Sequence, residues 1–169
     1  MQSIEQQVVE HIPRLRRYSR ALLRGDVAAA DDLVQDCLER ALSRLRLWRR
    51  DSDLRAWLFT IMHNLYVNRL RHAGHEATFA QTPEEIEEIA VPSATDPVSL
   101  PELERAFARL QPDQREILLL VALEGLSYQQ VAAILGVPEG TVMSRLARAR
   151  DRLRRALEGD TDVALRRIK

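Results

Sequence analysis

Cysteine is almost absent from this chain of 169 residues: Cys37 stands alone. That excludes a disulfide framework and a cysteine-built zinc site. Lysine is as scarce. Lys169 is the only one, so the basic side chains are nearly all arginine, which favours planar contacts to phosphates and base edges. No apolar run approaches membrane-spanning length. No basic segment followed by an apolar run opens the chain, so no signal peptide and no membrane insertion are expected, and the reading is cytoplasmic. Strand-like alternation is missing, and the expected fold is all-α. Also missing are a Gly-rich phosphate loop, an HExxH motif and a Ser-His-acid grouping. No enzyme activity and no cofactor are expected. His72 and His75 have helical spacing without a third ligand nearby, so no metal site is expected either.

What is present is segregated charge. Basic and acidic residues number 25 each, for a formal net charge of zero. Acids gather around Glu84 to Glu88 and in Asp96, Glu102 and Glu104; arginines gather between Arg14 and Arg24 and near the C-terminus. The stretch 127–155, SYQQVAAILGVPEGTVMSRLARARDRLRR, is the most informative. Ser127 suits an N-cap, with Gln130 three residues on to complete a capping box. Val131, Ile134 and Leu135 give one apolar face, Gly136 suits a left-handed helix end, and Pro138 suits the start of a second helix. That second helix has Val142, Leu146, Ala149 and Leu153 as its apolar stripe. Thr141, Ser144, Arg145, Arg148, Arg150, Arg152, Arg154 and Arg155 take its other faces, and Asp151 alone interrupts the basic run. A short helix, a glycine turn and an arginine-rich helix form the helix-turn-helix pattern, whose second helix enters the DNA major groove. The competing reading is a helical hairpin with a solvated arginine face.

In chain order, 4–23 is helical in pattern, with Pro13 as its start or a kink. Residues 27–47 form a second helix with Leu33, Val34, Cys37, Leu38, Ala41, Leu42 and Leu45 on the apolar face and Asp32, Gln35, Asp36 and Glu39 on a polar strip. Cys37 reads as a small core residue. Trp48 to Asp53 breaks the period. Residues 54–71 form a third helix, with Trp57, Leu58, Ile61, Leu65 and Leu70 apolar and Arg55, His63, Asn64, Asn68, Arg69 and Arg71 on the other face. A tryptophan beside arginines and exposed asparagines suits a surface that stacks and hydrogen-bonds unpaired bases. Residues 72–98, rich in Pro and acids, read as a flexible linker. Helices over 101–110 and 112–123 support the helix-turn-helix, and 160–169 reads as a short tail.

Together these segments resemble the extracytoplasmic-function (group 4) sigma factors of bacterial RNA polymerase. DDLVQDCLERAL (31–42) resembles their polymerase-docking helix. RAWLFTIMHNLYVNRLR (55–71) resembles the helix that meets the −10 element. LQPDQREILLLVALEGL (110–126), with the helix-turn-helix after it, resembles the domain that reads the −35 element. The resemblance implies a region 2 domain over 1–73, a linker over 74–98 and a region 4 domain over 99–169. It implies polymerase contacts at Asp32, Gln35 and Asp36, with Leu33 and Val34 shaping that helix. It implies a −10 loop of Trp48, Arg49, Arg50, Asp51, Ser52 and Asp53 that captures a flipped-out base, with Asn64 lining the pocket and Asn68 and Arg69 near the melted strand. On the −35 side it implies Ser127, Thr141, Met143, Ser144, Arg145, Ala147 and Arg148. Family members often carry Arg at the position of Met143 and a bulky residue at that of Ala147, so Ser144, Arg145 and Arg148 become the preferred base-reading candidates. The implied partners are core RNA polymerase, promoter DNA and an anti-sigma factor.

Two other binding modules fit part of the pattern. A conventional helix-turn-helix regulator shares the C-terminal stretch but not 31–71. A sigma-like adaptor that sequesters an anti-sigma factor would need no DNA contacts, against which the arginine density of the last helix argues.

Overall fold

Six of the α-helices begin where the sequence supplies a side-chain partner for a free backbone N–H group. The computed structural model describes residues 3–74 and 98–167, with side chains as far as Gly159. The acidic run at 84–88, His75 and most of the expected linker lie outside the described residues. In the first half, α1 (Ile4–Leu22) opens with a capping box between Ser3 and Gln6, α2 (Val27–Ser43) is capped by Asp26, and α3 (Leu54–His72) by Asp53. In the second, α4 (Leu100–Ala108) opens on Ser99, α5 (Pro112–Leu118) on Gln111, and α6 (Tyr128–Leu135) on Ser127. The last helix, α7, runs Glu139–Arg167. Among the described residues there is no strand, as the sequence leads one to expect.

Several boundaries differ from the sequence reading. Pro13 lies inside α1 and neither starts nor ends it. The Val9 carbonyl that loses its donor belongs to a residue 59% exposed, so solvent can take the donor's place. The second helix stops at Ser43, because the Arg44 N–H turns back to the Ala41 and Leu42 carbonyls and a tight 3₁₀ turn follows over Leu45–Leu47. Leu42, expected on the apolar face, is 49% exposed. The helix from Pro112 widens into a π turn over Leu119–Leu123, where the Glu124 N–H bonds the Leu119 carbonyl at 3.0 Å. The expected tail instead continues α7 as far as Arg167.

The central element is α3. It packs against α2 on one side and α6 on another, so it is apolar around most of its girth. Besides Leu58 and Ile61 it buries Leu54, Phe59, Met62, His63 and Tyr66. The Phe59 ring meets Tyr18 of α1 edge-on, with centroids 4.9 Å apart. One continuous apolar core then runs into the second half through Ile117, Leu120, Val131 and Leu146. Arg115, 3% exposed, lies between the halves. Its guanidinium donates to the carbonyls of Leu22 (3.1 Å), Leu110 (2.8 Å) and Phe107 (3.2 Å), serving the C-terminal ends of α1 and α4.

Cys37 is buried, and its thiol faces the Leu58 carbonyl at 3.5 Å. Burial pushes that thiol up to about 12. The thiolate is the reactive form, so an aromatic disulfide reagent at about pH 8 is expected to label Cys37 only after denaturant is added. Rapid labelling of the native chain would contradict this packing.

Candidate nucleic-acid interface

The helix-turn-helix is built as its sequence suggests. The Ser127 hydroxyl accepts from the Gln130 N–H at 3.2 Å and the Gln130 carboxamide accepts from the Ser127 N–H at 3.0 Å. Gly136 ends α6 with φ 66, a conformation that glycine adopts without Cβ strain. Ser127→Ala is expected to cost about 1 kcal/mol, measured as a lower thermal midpoint; no shift would show that α6 does not depend on its cap.

On α7 the buried stripe is Val142, Leu146 and Ala149. The stripe directed away from the protein is Met143, Ala147 and Arg150, with Thr141, Ser144 and Arg148 half-buried at its margins. Met143 and Ala147 therefore sit at the centre of the outward face. Arg145 does not. It is 9% exposed and turned towards α3, where it lines a cleft of about 370 Å³ with Asn64, Asn68, Arg71 and His63. Ser144 bonds the Thr141 carbonyl within its own helix at 3.1 Å, and Ser127 is occupied as a cap.

The −10 candidates divide in the same way. The loop from Trp48 to Asp53 is held in shape by itself: Arg49 forks onto Asp51 (2.9 and 3.2 Å), and the Ser52 hydroxyl donates to the Arg49 carbonyl at 2.7 Å. Arg50 is exposed in the same loop, while the Trp48 indole N–H is buried without a hydrogen-bond partner among the described residues. Asp53 caps α3 through one oxygen and accepts from the Gln130 amide at 2.7 Å through the other. Asn64 and Asn68 are exposed. Arg69 is committed to α2, bonding Asp36 at 2.7 Å and the Ala29 carbonyl at 3.0 Å.

On α2, Asp32, Gln35 and Asp36 are exposed along one strip, while Leu33 and Val34 are buried beneath it. The strip can meet a partner; the two apolar residues can only set its position. Gln35 is steadied by Glu39 at 3.1 Å.

Two buried acids are not readable from the sequence as part of any site. His63 Nδ1 lies 2.7 Å from Glu116 of α5, so His63 is buried and not on a solvated face. Burial raises the Glu116 carboxyl above the usual carboxylate range, opposed by its bond to His63. Glu124 accepts from Arg17 at 3.2 Å, and its carbonyl accepts from Arg55 at 3.0 Å. The one available signal is an acid closing the apolar run LLLVALEG.

An all-α chain whose second half presents a helix-turn-helix with an outward arginine margin, behind a first half with a structured Trp-Arg loop, is a DNA-binding transcription protein. A family model described as the Sigma2 domain of PhyR matches residues 8–63, and one described as Sigma-70, region 4 matches 100–153. The ECF RNA polymerase sigma factor EcfG of Rhodopseudomonas palustris is 37% identical over 151 residues, which span 89% of this chain and 83% of that one. The solved complex of the sigma factor RpoE with the anti-sigma factor NepR from Bartonella quintana superposes with TM-score 0.72 at 35% identity, covering 90% of this chain and 95% of that one. The PhyRSL–NepR complex from Sphingomonas sp. Fr1 gives TM-score 0.65 at 27% identity, covering 92% and 90%. The chain belongs to the extracytoplasmic-function RNA polymerase sigma factors. Among the described residues no helix is long and apolar enough to cross a membrane.

Proposed function

We propose that this chain is an alternative sigma factor that works in the cytoplasm, binds core RNA polymerase, recognises −35 and −10 promoter elements and directs initiation. Region 2 (1–73) carries the polymerase strip Asp32, Gln35 and Asp36 and the −10 loop. Residues 74–98 are the linker, and region 4 (99–169) carries the −35 helix. An anti-sigma factor of the NepR kind controls it, a reading supported by the RpoE–NepR likeness. The observation that carries the proposal is the order of matches, sigma2 then region 4, on one chain alongside a sigma factor 37% identical across most of its length. The chain performs no chemistry of its own.

Stacking a captured base contributes roughly 1–3 kcal/mol, against about 1.4 kcal/mol per DNA stacking step. One captured base therefore offsets about one step, and polymerase contacts must supply the rest of the bubble. Asn64→Ala is expected to weaken promoter opening while polymerase binding persists. Permanganate footprinting of the bubble reads this directly; unchanged footprints would remove Asn64 from the pocket.

A second reading has its own support, because the first-half match is to the sigma2 domain of PhyR. On that reading the chain is an adaptor that sequesters an anti-sigma factor. Transcription with purified core polymerase on a promoter-fragment library separates the two. Protein-dependent starts sharing a −35/−10 pattern establish the sigma role. Capture of the anti-sigma factor without any new start establishes the adaptor.

A further inference from the structure

Arg69 is turned away from the face that its place on α3 suggests. It adjoins the exposed Asn68 and lies two residues before the exposed Arg71, yet its guanidinium reaches across to α2. One nitrogen donates to Asp36 Oδ2 at 2.7 Å and the other to the Ala29 carbonyl at 3.0 Å. Ala29 lies in the first turn of α2 and Asp36 in its third. The planar fork therefore braces Asp36 against the start of its own helix. Asp36 and Arg69 are 49% and 33% exposed, and an ion pair so open to water adds little to stability. What the pair decides is placement. Asp32 and Asp36 lie four residues apart on one exposed strip, where like charges repel. Gln35 is held by Glu39 from within α2; Asp36 is held from α3. Among the described residues, Arg69 is the one cation paired with the carboxylates of that strip. It offsets the repulsion and fixes the Asp36 side chain before any partner arrives. Ordering a free side chain at an interface is a cost of association, which such a brace removes in advance.

We infer that Arg69 is a positioning residue of the polymerase-binding strip, holding Asp36 in the orientation that core RNA polymerase meets, and is not a contact to the melted strand. It bonds Oδ2 and leaves Oδ1 of Asp36 for a hydrogen-bond donor on the polymerase. The inference rests on the sigma reading and deepens it, because a residue of α3 beside the −10 candidates serves the partner of α2.

The test measures binding of the full chain, labelled at its N-terminus, to core polymerase by fluorescence anisotropy. Arg69→Ala is expected to weaken binding about threefold to tenfold, the usual cost of ordering one more side chain on association. Arg69→Lys keeps the charge but not the fork, and should recover part of the loss. Asp36→Asn should weaken binding by itself, and Arg69→Ala added to it should cost nothing further. With core polymerase saturating, permanganate footprints of the promoter bubble should match those of the unaltered chain. Polymerase affinity unchanged by Arg69→Ala overturns the inference. So does a full Arg69→Ala penalty in the Asp36→Asn background, which would mean that Arg69 does not act through Asp36. Footprints lost at saturating polymerase would make Arg69 a DNA contact and overturn it too. If the alanine variant melts early, Arg69→Gln takes its place under the same expectations. An unaltered chain that failed to bind core polymerase would overturn the sigma reading and this inference with it, whereas normal binding by both the unaltered chain and Arg69→Ala would overturn only the latter.

Discussion

Phe59→Ala is expected to remove about 3–5 kcal/mol of stability, the usual cost of emptying a large aromatic site in a core. Phe59 is 2% exposed and leans edge-on against Tyr18, itself 1% exposed, at 4.9 Å between centroids. The truncation loses the transfer energy of the ring and leaves a cavity. It also loses the edge-to-face term, about 0.5–1.5 kcal/mol beyond area burial. The void cannot close cheaply, because Leu15, Leu58 and Met62 are themselves fully buried. A domain of this size has only about 5–15 kcal/mol in hand, so the variant should sit close to its unfolding threshold. Urea denaturation followed by circular dichroism measures this as a lower midpoint. Leu47→Ala is the contrast: Leu47 is 75% exposed, and its change should stay within about 0.5 kcal/mol. Equal losses at the two positions would mean that α3 is not the centre of the core.

The parts of this architecture that are legible in the sequence are those whose cause is local. The Ser127–Gln130 box and the Gly136 turn each depend on residues a few positions apart, and both appear as expected. The parts that are not legible have partners far away in sequence. Arg17 and Glu124 are separated by 107 positions, and His63 and Glu116 by 53. No periodicity rule reaches across such a gap, so His63 reads as solvated although Glu116 allows its burial. A second cause is that periodicity assigns one apolar face per helix. Helix α3 is covered from two sides, and the residues of its second face, Phe59, Met62 and Tyr66, escape that rule. The placement of Arg145 escapes both rules: its face reads as polar and solvent-directed, yet it is 9% exposed and lines a cleft together with residues of α3. The site assignments themselves come from resemblance, and here the geometry separates exposed candidates (Asn64, Asn68, Met143, Ala147) from those already bonded, such as Arg69 and Asp53.

Arg148→Ala is expected to weaken binding to promoter DNA by about 1–3 kcal/mol, or about 5- to 150-fold, with relaxed preference at one −35 position. Bidentate reading of a guanine uses a cation at the margin of the helix face directed at DNA, close enough to the base edge for two hydrogen bonds. Arg148 borders the outward Met143–Ala147–Arg150 stripe, whereas Arg145 is turned to α3. Arg150, fully on the exposed stripe, is expected to meet phosphate. Its replacement should weaken all duplexes alike and lower the salt slope by about one. Met143, 49% exposed at the stripe's centre, can offer an apolar contact to a thymine methyl, so Met143→Ala should affect only sites with thymine there. Anisotropy titrations on matched and scrambled −35 duplexes separate these effects. If Arg148→Ala lowered both affinities equally, Arg148 would be a phosphate contact, and base reading would pass to Ser144 and Met143. If it changed neither, the outward face of α7 would not be the DNA-reading surface, and the adaptor reading would gain.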